Sequence, residues 1–186
     1  GAVSCTLYCG GLVGLQGGQY SSPGISQSYA TGSVTEPGSY VSSAGGLVGL
    51  HAGGKISNSY ALGSVTGGLW GTGGLVGADD DPWFGPISGS YATGAVTGAK
   101  LTGTNGIGGL IGSDETTIRH TYWDRTTSEI TNQSQGAGNI ANAPGIMGLS
   151  DKKLKSGLPR GFNPTIWAES PDINNGLPYL IHNPPK

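Results

Sequence analysis

Short apolar clusters recur along the chain at a constant interval, and each is flanked by serine, threonine or glycine. Isoleucine returns with an unchanged spacing, and a tyrosine follows each isoleucine four positions later: Ile25, Ile56, Ile87 and Ile118, with Tyr29, Tyr60, Tyr91 and Tyr122. The surrounding segment 25–35 is Ile-Ser-Gln-Ser-Tyr-Ala-Thr-Gly-Ser-Val-Thr, which returns at 56–66 and 87–97 and is shortened at 118–124. A fixed period of this length is typical of proteins in which each repeat is one stacked structural unit.

A second apolar element, Gly-Gly-Leu-Val-Gly, lies between these segments. It occupies 10–14, 45–49 and 73–77, and 108–112 carries isoleucine in place of valine. The starts of this element are unequally spaced, whereas the last threonine of one repeat always stands at the same distance from the next isoleucine, as at 35 and 56, 66 and 87, and 97 and 118. The loops on either side therefore exchange length while the whole repeat keeps its period, as stacked coils of constant circumference would show.

Each repeat contains three pieces that favour β-strands: Ile-x-x-Ser-Tyr-Ala, x-Val-Thr and Gly-Leu-Val-Gly. Glycines separate the pieces and permit tight turns. No piece is long enough to bury a face by itself, so equivalent pieces from successive repeats must stack and pair in parallel. The sequence predicts an all-β fold, a parallel β-solenoid of about four coils with rungs about 4.8 Å apart. We expect it to be right-handed, because crossover connections nearly always are.

The composition agrees with this fold and argues against several other classes of protein. Glycine contributes 37 of 186 residues, and each glycine inside a helix costs about 1 kcal/mol, which excludes a helical bundle. Charged residues make up 11% of the chain and the net charge is −2, so we expect neither a highly charged disordered chain nor a nucleic-acid partner. No run of apolar residues is long enough to predict a membrane span.

The composition changes near residue 114, because most of the glycines lie before that position and the sequence after it is richer in charged residues. We therefore divide the chain into solenoid repeats at 1–118 and, at 119–186, a remnant of the last coil followed by an irregular C-terminal cap. Residues 126–142 are polar and predict a loop. Residues 149–155 predict a short helix with Ser150 as its N-cap and Gly157 after its end.

Both ends of a solenoid need protection, because an exposed terminal coil offers unpaired backbone to other strands. At the C-terminal end we expect large side chains of the cap to act as plugs: Trp123, Phe162, Trp167, Tyr179 and Leu180. At the other end, residues 2–8 are too few to form an obvious cap. We expect this N-terminal coil to be covered by further protein upstream, by a partner or by another copy of the chain.

Stacked coils turn the repeated tyrosines and threonines into rows. The tyrosine row predicts a partly buried structural ladder, and an exposed platform for stacking sugars is the alternative. The threonines at 35, 66 and 97 form a single file. This file is narrower than the wide, flat array that an ice-binding surface needs, so a structural role is favoured for it as well.

Two cysteines, Cys5 and Cys9, lie close together near the start of the chain. Four residues of extended strand separate two Cα atoms by about 13 Å, beyond the reach of a disulfide. A disulfide therefore requires a turn between them, at positions 6–8. Free thiols are the alternative, and a metal site is disfavoured because the nearest histidine, His51, is distant along the chain.

One acidic cluster follows the third Gly-Gly-Leu-Val-Gly element, with two aromatic residues close behind it: Asp79, Asp80, Asp81, Trp83 and Phe84. Carboxylate oxygens are the ligands that calcium prefers, and aromatic rings beside them can stack on sugars, so this loop is the candidate calcium or glycan site. The alternative is a solvated loop whose rings fold onto the coil. We expect no catalytic site, because no partner for these carboxylates repeats on neighbouring coils and the three histidines do not converge.

The repeat resembles the GLUG motif of bacterial surface proteins, through Gly-Gly-Leu-Val-Gly at 45–49 and Lys-Ile-Ser-Asn-Ser-Tyr-Ala-Leu-Gly-Ser-Val-Thr at 55–66. Residues 10–123 follow this pattern. The segments at 122–124, 161–167 and 177–180 are similar to those that close GLUG arrays in filamentous-haemagglutinin-like exoproteins, which are often exported by two-partner secretion. GLUG repeats also occur in some IgA-specific metallopeptidases, outside the catalytic domain. That chemistry needs a His-Glu-x-x-His string, which this sequence does not contain.

The resemblance implies a secreted bacterial cell-surface protein, and we expect this chain to be a non-enzymatic structural or adhesive module. The mechanism would be geometric, with a stiff stalk or tip that carries recognition on its corner loops. A glycan or a surface protein is the expected partner. The alternatives are a subunit of an extracellular filament that stacks through the N-terminal coil and, less favoured, a carbohydrate-active β-helix enzyme. Any export signal would lie outside this sequence or have been removed.

Overall fold

The computed structural model describes residues 1–17, 23–38, 42–80, 85–98 and 106–185. Within these ranges the backbone winds into a parallel β-solenoid, and each turn passes through short strands of five different sheets. The fold class inferred from the repeat is confirmed. The helices of the described ranges include none long and apolar enough to cross a membrane.

The five sheets are named here after the residues that they stack. The Ile-Ser sheet contains Ile25–Ser26, Ile56–Ser57, Ile87–Ser88 and Ile118–Arg119. The Tyr sheet contains Tyr29–Ala30, Tyr60–Ala61, Tyr91–Ala92, Thr121–Asp124 and Ile146–Leu149. The Val-Thr sheet contains Val3–Ser4, Val34–Thr35, Val65–Thr66 and Val96–Thr97.

The remaining two sheets hold the glycine-rich element. The Gly sheet contains Tyr8–Gly10, Ser43–Gly45, Gly71–Gly73 and Gly106–Gly108. The Val-Gly sheet contains Val13–Gly17, Val48–Ala52, Val76–Asp79 and Ile111–Ser113. Residues 2–8, which are too few to form a cap, belong to the first rung instead. Their strands Val3–Ser4 and Tyr8–Gly10 pair with the next turn.

The register of the sheets reproduces the periodicity of the sequence. Ile25 pairs with Ile56, Ile56 with Ile87, and Ile87 with Ile118, so one period of the sequence is one turn of the solenoid. In the Val-Gly sheet, Val13 pairs with Val48 and Val48 with Val76, although the two separations along the chain differ. The predicted exchange of loop length therefore holds in three dimensions, because the unequal spacings still bring equivalent residues together.

The number of strands in each turn differs from the sequence prediction of three. The piece Ile-x-x-Ser-Tyr-Ala bends once in every repeat, because its third residue has a positive φ: Gln27, Asn58, Gly89 and His120. The bend separates the Ile-Ser strand from the Tyr strand. The Gly-Gly-Leu-Val-Gly element likewise bends at 46–47 and contributes to two sheets. Three predicted pieces thus become five strands.

The interior of the solenoid is aliphatic, and its walls approach each other closely. Leu47, Leu75 and Leu110 are fully buried there with the isoleucine row. A Cβ atom on Gly77 would lie 2.5 Å from the carbonyl oxygen of Gly49 and 2.6 Å from the amide nitrogen of Ala44. Glycine at this position is therefore required by backbone from two neighbouring strands, rather than by a turn.

The C-terminal end of the lumen is closed by Trp123. This residue occupies the position of the alanine row, pairs with Ala92 and is fully buried in the aliphatic core. Its indole nitrogen donates a hydrogen bond to the carbonyl oxygen of Ile130, 3.0 Å away. A Cβ on Gly136 would lie 2.8 Å from the indole ring, so the chain can cover the ring only with glycine there.

Residues 126–142, predicted as a loop, contain no strand but follow the path of a shortened fifth turn. The Val96 amide donates to the carbonyl oxygen of Ser128, which extends the Val-Thr sheet. Ala137 forms a bridge with Ile111, and Ile146–Leu149 then pairs with Thr121–Asp124. The predicted helix is confirmed at Asp151–Leu154, where the Ser150 side chain accepts from the Lys153 amide.

The tail beyond this helix was predicted to cap the solenoid end, and the structure corrects that prediction. The tail lies along the outer face of the Tyr sheet, from Tyr122 near Arg160 to Tyr29 near Pro184. Phe162, Trp167 and Leu180 pack in the cluster that covers the tyrosines, and only Trp123 of the expected plugs enters the lumen. We call residues 156–185 the strap.

The strap contains little regular structure. Trp167–Ala168 and Tyr179–Leu180 form a two-stranded antiparallel pair, and Asn174–Gly176 form a 3-10 turn. Tyr179 is only half-buried, so it does not act as a plug. The strap is held mainly by its large apolar side chains, because few of its backbone groups join the solenoid sheets.

Candidate functional site

A column of buried polar side chains crosses four rungs at one edge of the Val-Gly sheet. Gln16 pairs with His51 and His51 with Asp79, and Asp114 follows the strand of the fourth rung. The exposed fractions of these four residues are 7%, 0%, 1% and 5%. Each stands three positions after the first apolar residue of its strand, so the stacked turns bring them together. We call these residues the polar column.

His51 and Asp79 form the central pair of the polar column. The Nδ1 atom of His51 contacts a carboxylate oxygen of Asp79, and Nε2 lies 2.6 Å from the carbonyl oxygen of Gly54. A carbonyl oxygen can only accept, so Nε2 carries a proton. Both ring nitrogens are therefore engaged inside the protein.

Asp114 is the member of the polar column whose pKa is most clearly shifted. Burial raises its pKa to about 6, and the negative charges of Asp79 and Glu115 act in the same direction. A hydrogen bond from the Thr116 amide to the Asp114 carboxylate, at 3.1 Å, opposes the shift. The Asn139 side chain accepts a hydrogen bond from the Asp114 amide at 2.8 Å and donates one to the Asp114 carbonyl oxygen at 3.0 Å. Asp114 therefore titrates nearer to neutral pH than an exposed aspartate.

The acidic loop proposed from the sequence is divided by the structure. Asp79 is buried against His51, whereas Asp80 is exposed and donates its amide to the carbonyl oxygen of His51. Asp81, Trp83 and Phe84 lie outside the described residues. Across the ranges that the structure does describe, no group of three or more histidine, cysteine, aspartate or glutamate side chains is placed to hold a metal ion. Calcium or glycan binding by the whole loop stays a prediction.

The two cysteines are joined in a disulfide. The chain bends at Thr6 and Leu7, which brings the Cα atoms of Cys5 and Cys9 to 5.6 Å. The bridge links the end of the Val-Thr strand to the Gly strand of the first rung. Cys9 is fully buried there, in a second small core with Val34, Ala44 and Val65.

The tyrosine row is a stacked and covered ladder. The ring centroids of Tyr29 and Tyr60 are 5.0 Å apart, and those of Tyr60 and Tyr91 are 5.1 Å apart. Trp167 of the strap packs against Tyr60 and Tyr91, which are both fully buried. Burial raises the pKa of both phenols. The faces of these two rings are therefore closed to a sugar.

The hydroxyl groups of the row differ in their partners. The Tyr91 hydroxyl donates to the carbonyl oxygen of Pro178 at 2.6 Å and accepts from the Asn174 side chain at 2.9 Å. The Tyr122 hydroxyl donates to the carbonyl oxygen of Arg160 at 2.7 Å. The Tyr60 hydroxyl is buried and has no hydrogen-bond partner among the described residues. Tyr91 and Tyr122 are thus hydrogen-bonded to the strap, whereas Tyr60 is only packed against it.

A groove of about 500 Å³ lies over the Ile-Ser sheet, and sequence inspection did not find it. It is lined by Lys55, Ser88, Thr116, Thr117 and Arg119, with the turn at 85–86. Lys55, Thr117 and Arg119 are exposed. The signal in the sequence was the change of the repeated Ile-Ser pair to Ile118–Arg119, which stacks an arginine above a row of serines.

Comparison with known proteins gives one family model and one solved structure. Residues 40–66 match the model described as the GLUG motif. The fold is similar to a crystal structure described as a "putative immunoglobulin A1 protease" from Bacteroides ovatus, with a TM-score of 0.67 and 22% identity. The similarity covers 97% of this chain and 66% of that chain. No curated protein matches the sequence. At this identity the similarity supports the fold alone.

Proposed function

We propose that the chain is a non-enzymatic structural and adhesive module of a secreted bacterial cell-surface protein. The observation that carries this proposal is the in-register stacking of four rungs in all five sheets, which makes a stiff rod. A rod of this kind separates a recognition surface from the body that bears it. The strap covers the outer face of the Tyr sheet, and exposed side chains such as Lys55 and Arg119 lie on another face of the rod.

The state of the polar column supports a non-enzymatic role. A general base must come within hydrogen-bond distance of the proton that it removes. His51 is fully buried and both of its nitrogens are engaged, so the histidine and aspartate that most resemble a catalytic pair have no access to a substrate. The GLUG match favours the surface-protein context, and the Cys5–Cys9 disulfide fits an oxidising compartment outside the cytosol.

An adhesion assay tests this function directly. Beads coated with the chain would be passed under flow over mucin, over epithelial cells and over bacterial envelopes. We expect retention above that of beads coated with the Gly77→Val variant, in which the added side chain disrupts the stacked backbone. Equal retention of the two bead types on every surface would contradict an adhesive role.

A product assay tests the absence of catalysis. Immunoglobulin A1 and a panel of polysaccharides would be incubated with the chain and analysed by mass spectrometry. We expect every substrate to remain intact, since the His51–Asp79 pair is buried and both ring nitrogens of His51 are engaged. Release of a shortened product that is lost in His51→Ala would overturn the non-enzymatic proposal.

A filament subunit is the second candidate, and exposed leucines on the first rung favour it. Leu7, Leu12 and Leu15 are 47%, 47% and 52% exposed, so the first rung presents several apolar side chains to solvent. A filament would bury them against the last turn of another copy. The solution mass would then rise over a hundredfold range of concentration, with rods visible by negative stain, and Leu12→Glu would prevent the rise. A constant monomer mass would remove this candidate.

A further inference from the structure

The groove over the Ile-Ser sheet is lined mostly by polar residues, with Gly85 and Pro86 at one turn. The isoleucines at 56, 87 and 118 point into the aliphatic core, and their neighbours on each side therefore face outward. Lys55 precedes the second-rung isoleucine, Ser88 follows that of the third rung, and Arg119 follows that of the fourth. Ser88 and Arg119 are therefore stacked on one side of the isoleucine row, and Lys55 lies on the other side of that row, on the rung before Ser88.

The charged groups that line this groove are all cationic. Lys55 and Arg119 form no salt bridge with any described residue, whereas the two ion pairs in the described ranges are His51–Asp79 and Lys155–Asp151. Glu115 is exposed just before Thr116, but it does not line the groove. The groove therefore carries a local positive charge on a protein whose net charge is −2.

The spacing of the two cations restricts the ligand. Lys55 and Arg119 lie two rungs apart, which corresponds to about 10 Å along the solenoid axis. The groove also presents the hydroxyl groups of Ser88 on the intervening rung and of Thr116 and Thr117 on the rung of Arg119, and its apolar lining is limited to Pro86. Two separated cations with hydroxyls beside them complement a chain of sugar hydroxyls that carries carboxylates at intervals. A densely sulfated chain would instead require more cations in the same length.

We propose that this groove binds a carboxylate-bearing oligosaccharide that crosses the rungs from Lys55 to Arg119. Lys55 and Arg119 bind carboxylates of the sugar chain, and the hydroxyl side chains of the groove hydrogen-bond to its hydroxyl groups. This inference rests on the proposed adhesive function, for which it supplies the class of ligand. It places recognition on a flat face of the solenoid, rather than on the acidic corner loop suggested by the sequence.

Calorimetric titration with oligogalacturonate tests the proposal, with its methyl-esterified, uncharged form as the matched ligand. We expect binding of the charged form that weakens as salt is added, and little binding of the ester. The double variant Lys55→Gln/Arg119→Gln should weaken binding roughly three- to tenfold or more. The control Lys152→Gln/Lys153→Gln removes the same charge from the exposed helix and should bind as the parent does.

A gain of affinity gives an independent check on the geometry. Ser88→Lys adds a cation on the rung between Lys55 and Arg119, and we expect it to tighten binding of oligogalacturonate several-fold. Circular dichroism and thermal unfolding would establish that each variant keeps the parent fold. Because these side chains lie on the surface of the groove, their substitution should leave the core unchanged.

Three outcomes would overturn the proposal: no binding of oligogalacturonate, equal affinity for the ester, or unchanged affinity in Lys55→Gln/Arg119→Gln. Binding of a heparin-derived oligosaccharide without binding of oligogalacturonate would also overturn it, because it would assign a sulfated ligand. Beads that adhere under flow although oligogalacturonate does not bind would remove the groove proposal and keep the adhesive function. Binding in the calorimeter with no bead adhesion on any surface would remove the adhesive function and keep the groove as a binding site.

Discussion

The solenoid and the strap bury their apolar side chains in two different ways. In the solenoid, each strand pairs with the equivalent strand of the next turn, and the core consists of aliphatic side chains enclosed by backbone. In the strap, aromatic side chains such as Phe162 and Trp167 pack on tyrosines of the outer face, and few backbone hydrogen bonds connect the two. The repeat can close its own interior, but a row of outward tyrosines needs a segment that does not repeat.

This difference has consequences for stability. Breaking a rung of the solenoid removes backbone pairing on both of its sides, so its turns should unfold together. The strap can detach by losing side-chain contacts alone, and segments held in this way open locally at a lower free energy. We therefore expect the solenoid to unfold as one unit and the strap to open first.

Removing the indole that closes the lumen should have the largest effect. Trp123→Ala leaves a cavity in the aliphatic core, and truncation of a buried tryptophan costs about 3–5 kcal/mol. We expect the urea midpoint for unfolding of the whole solenoid to fall, and circular dichroism would measure it. Met147→Ala, at a side chain that is 52% exposed, is the control and should change the midpoint little. A loss confined to the strap would contradict the assignment of Trp123 to the solenoid.

Truncating the main anchor of the strap should detach the strap without unfolding the rungs. Trp167 is 1% exposed and contacts Tyr60, Tyr91 and Phe162. We expect Trp167→Ala to lower the free energy of strap opening by about 3 kcal/mol. Hydrogen exchange would rise in residues 156–183 and trypsin would cut sooner after Lys155 and Arg160.

The matched control for the strap is Ile181→Ala, because Ile181 is 38% exposed on the same segment. It should leave hydrogen exchange close to that of the parent protein. If Trp167→Ala instead raised exchange equally in every rung, the strap would be part of the cooperative unit of the solenoid. The contrast between the two regions would then be wrong.

The pH dependence of stability should differ between the regions because of Asp114 in the solenoid. The pKa of Asp114 is raised to about 6 in the folded protein, above its ordinary value of 3.8, so folding favours the protonated form. This contribution is complete below about pH 4 and is lost as pH rises through 6, by roughly 3 kcal/mol. Asp114→Asn mimics the protonated group and should flatten the profile of unfolding free energy between pH 4 and 6.5. An unchanged profile would contradict the burial of this carboxyl group.

The smallest effect concerns the hydroxyl groups that face the strap. Tyr91→Phe removes the hydrogen bonds to Pro178 and Asn174, and we expect it to destabilise the strap by about 1–2 kcal/mol. Tyr60→Phe removes a buried hydroxyl without a described partner and should be neutral or slightly stabilising. Thermal unfolding of the two variants gives the comparison. Equal losses would mean that packing alone holds the strap.

The polar column shows what sequence inspection could have found. Gln16, His51, Asp79 and Asp114 each stand three positions after the first apolar residue of their strand, so their alignment was present in the printed repeat. The acidic run at 79–81 drew attention to a solvated loop, whereas Asp79 is still part of a strand whose residues are all buried. Asp79 is buried against His51, and Asp80 is exposed just after the strand ends.

The sequence alone determined the architecture of the solenoid. The constant period, the glycines between the strand-forming pieces and the compensated loop lengths left one way to stack equivalent residues, and the observed register follows them. Backbone pairing between repeats is sufficient to set this register, because each turn stacks on a turn of nearly the same sequence. The short helix after Ser150 was likewise predictable from its capping residue.

The tertiary structure decided every contact between parts that do not repeat. The strap could cover the end or the side of the rod, and its aromatic residues pack onto the tyrosine row. The pairing of His51 with Asp79 and the joining of Lys55 and Arg119 in one groove depend on distances between turns. Such distances are set by packing across the whole fold, which no local pattern of residues records.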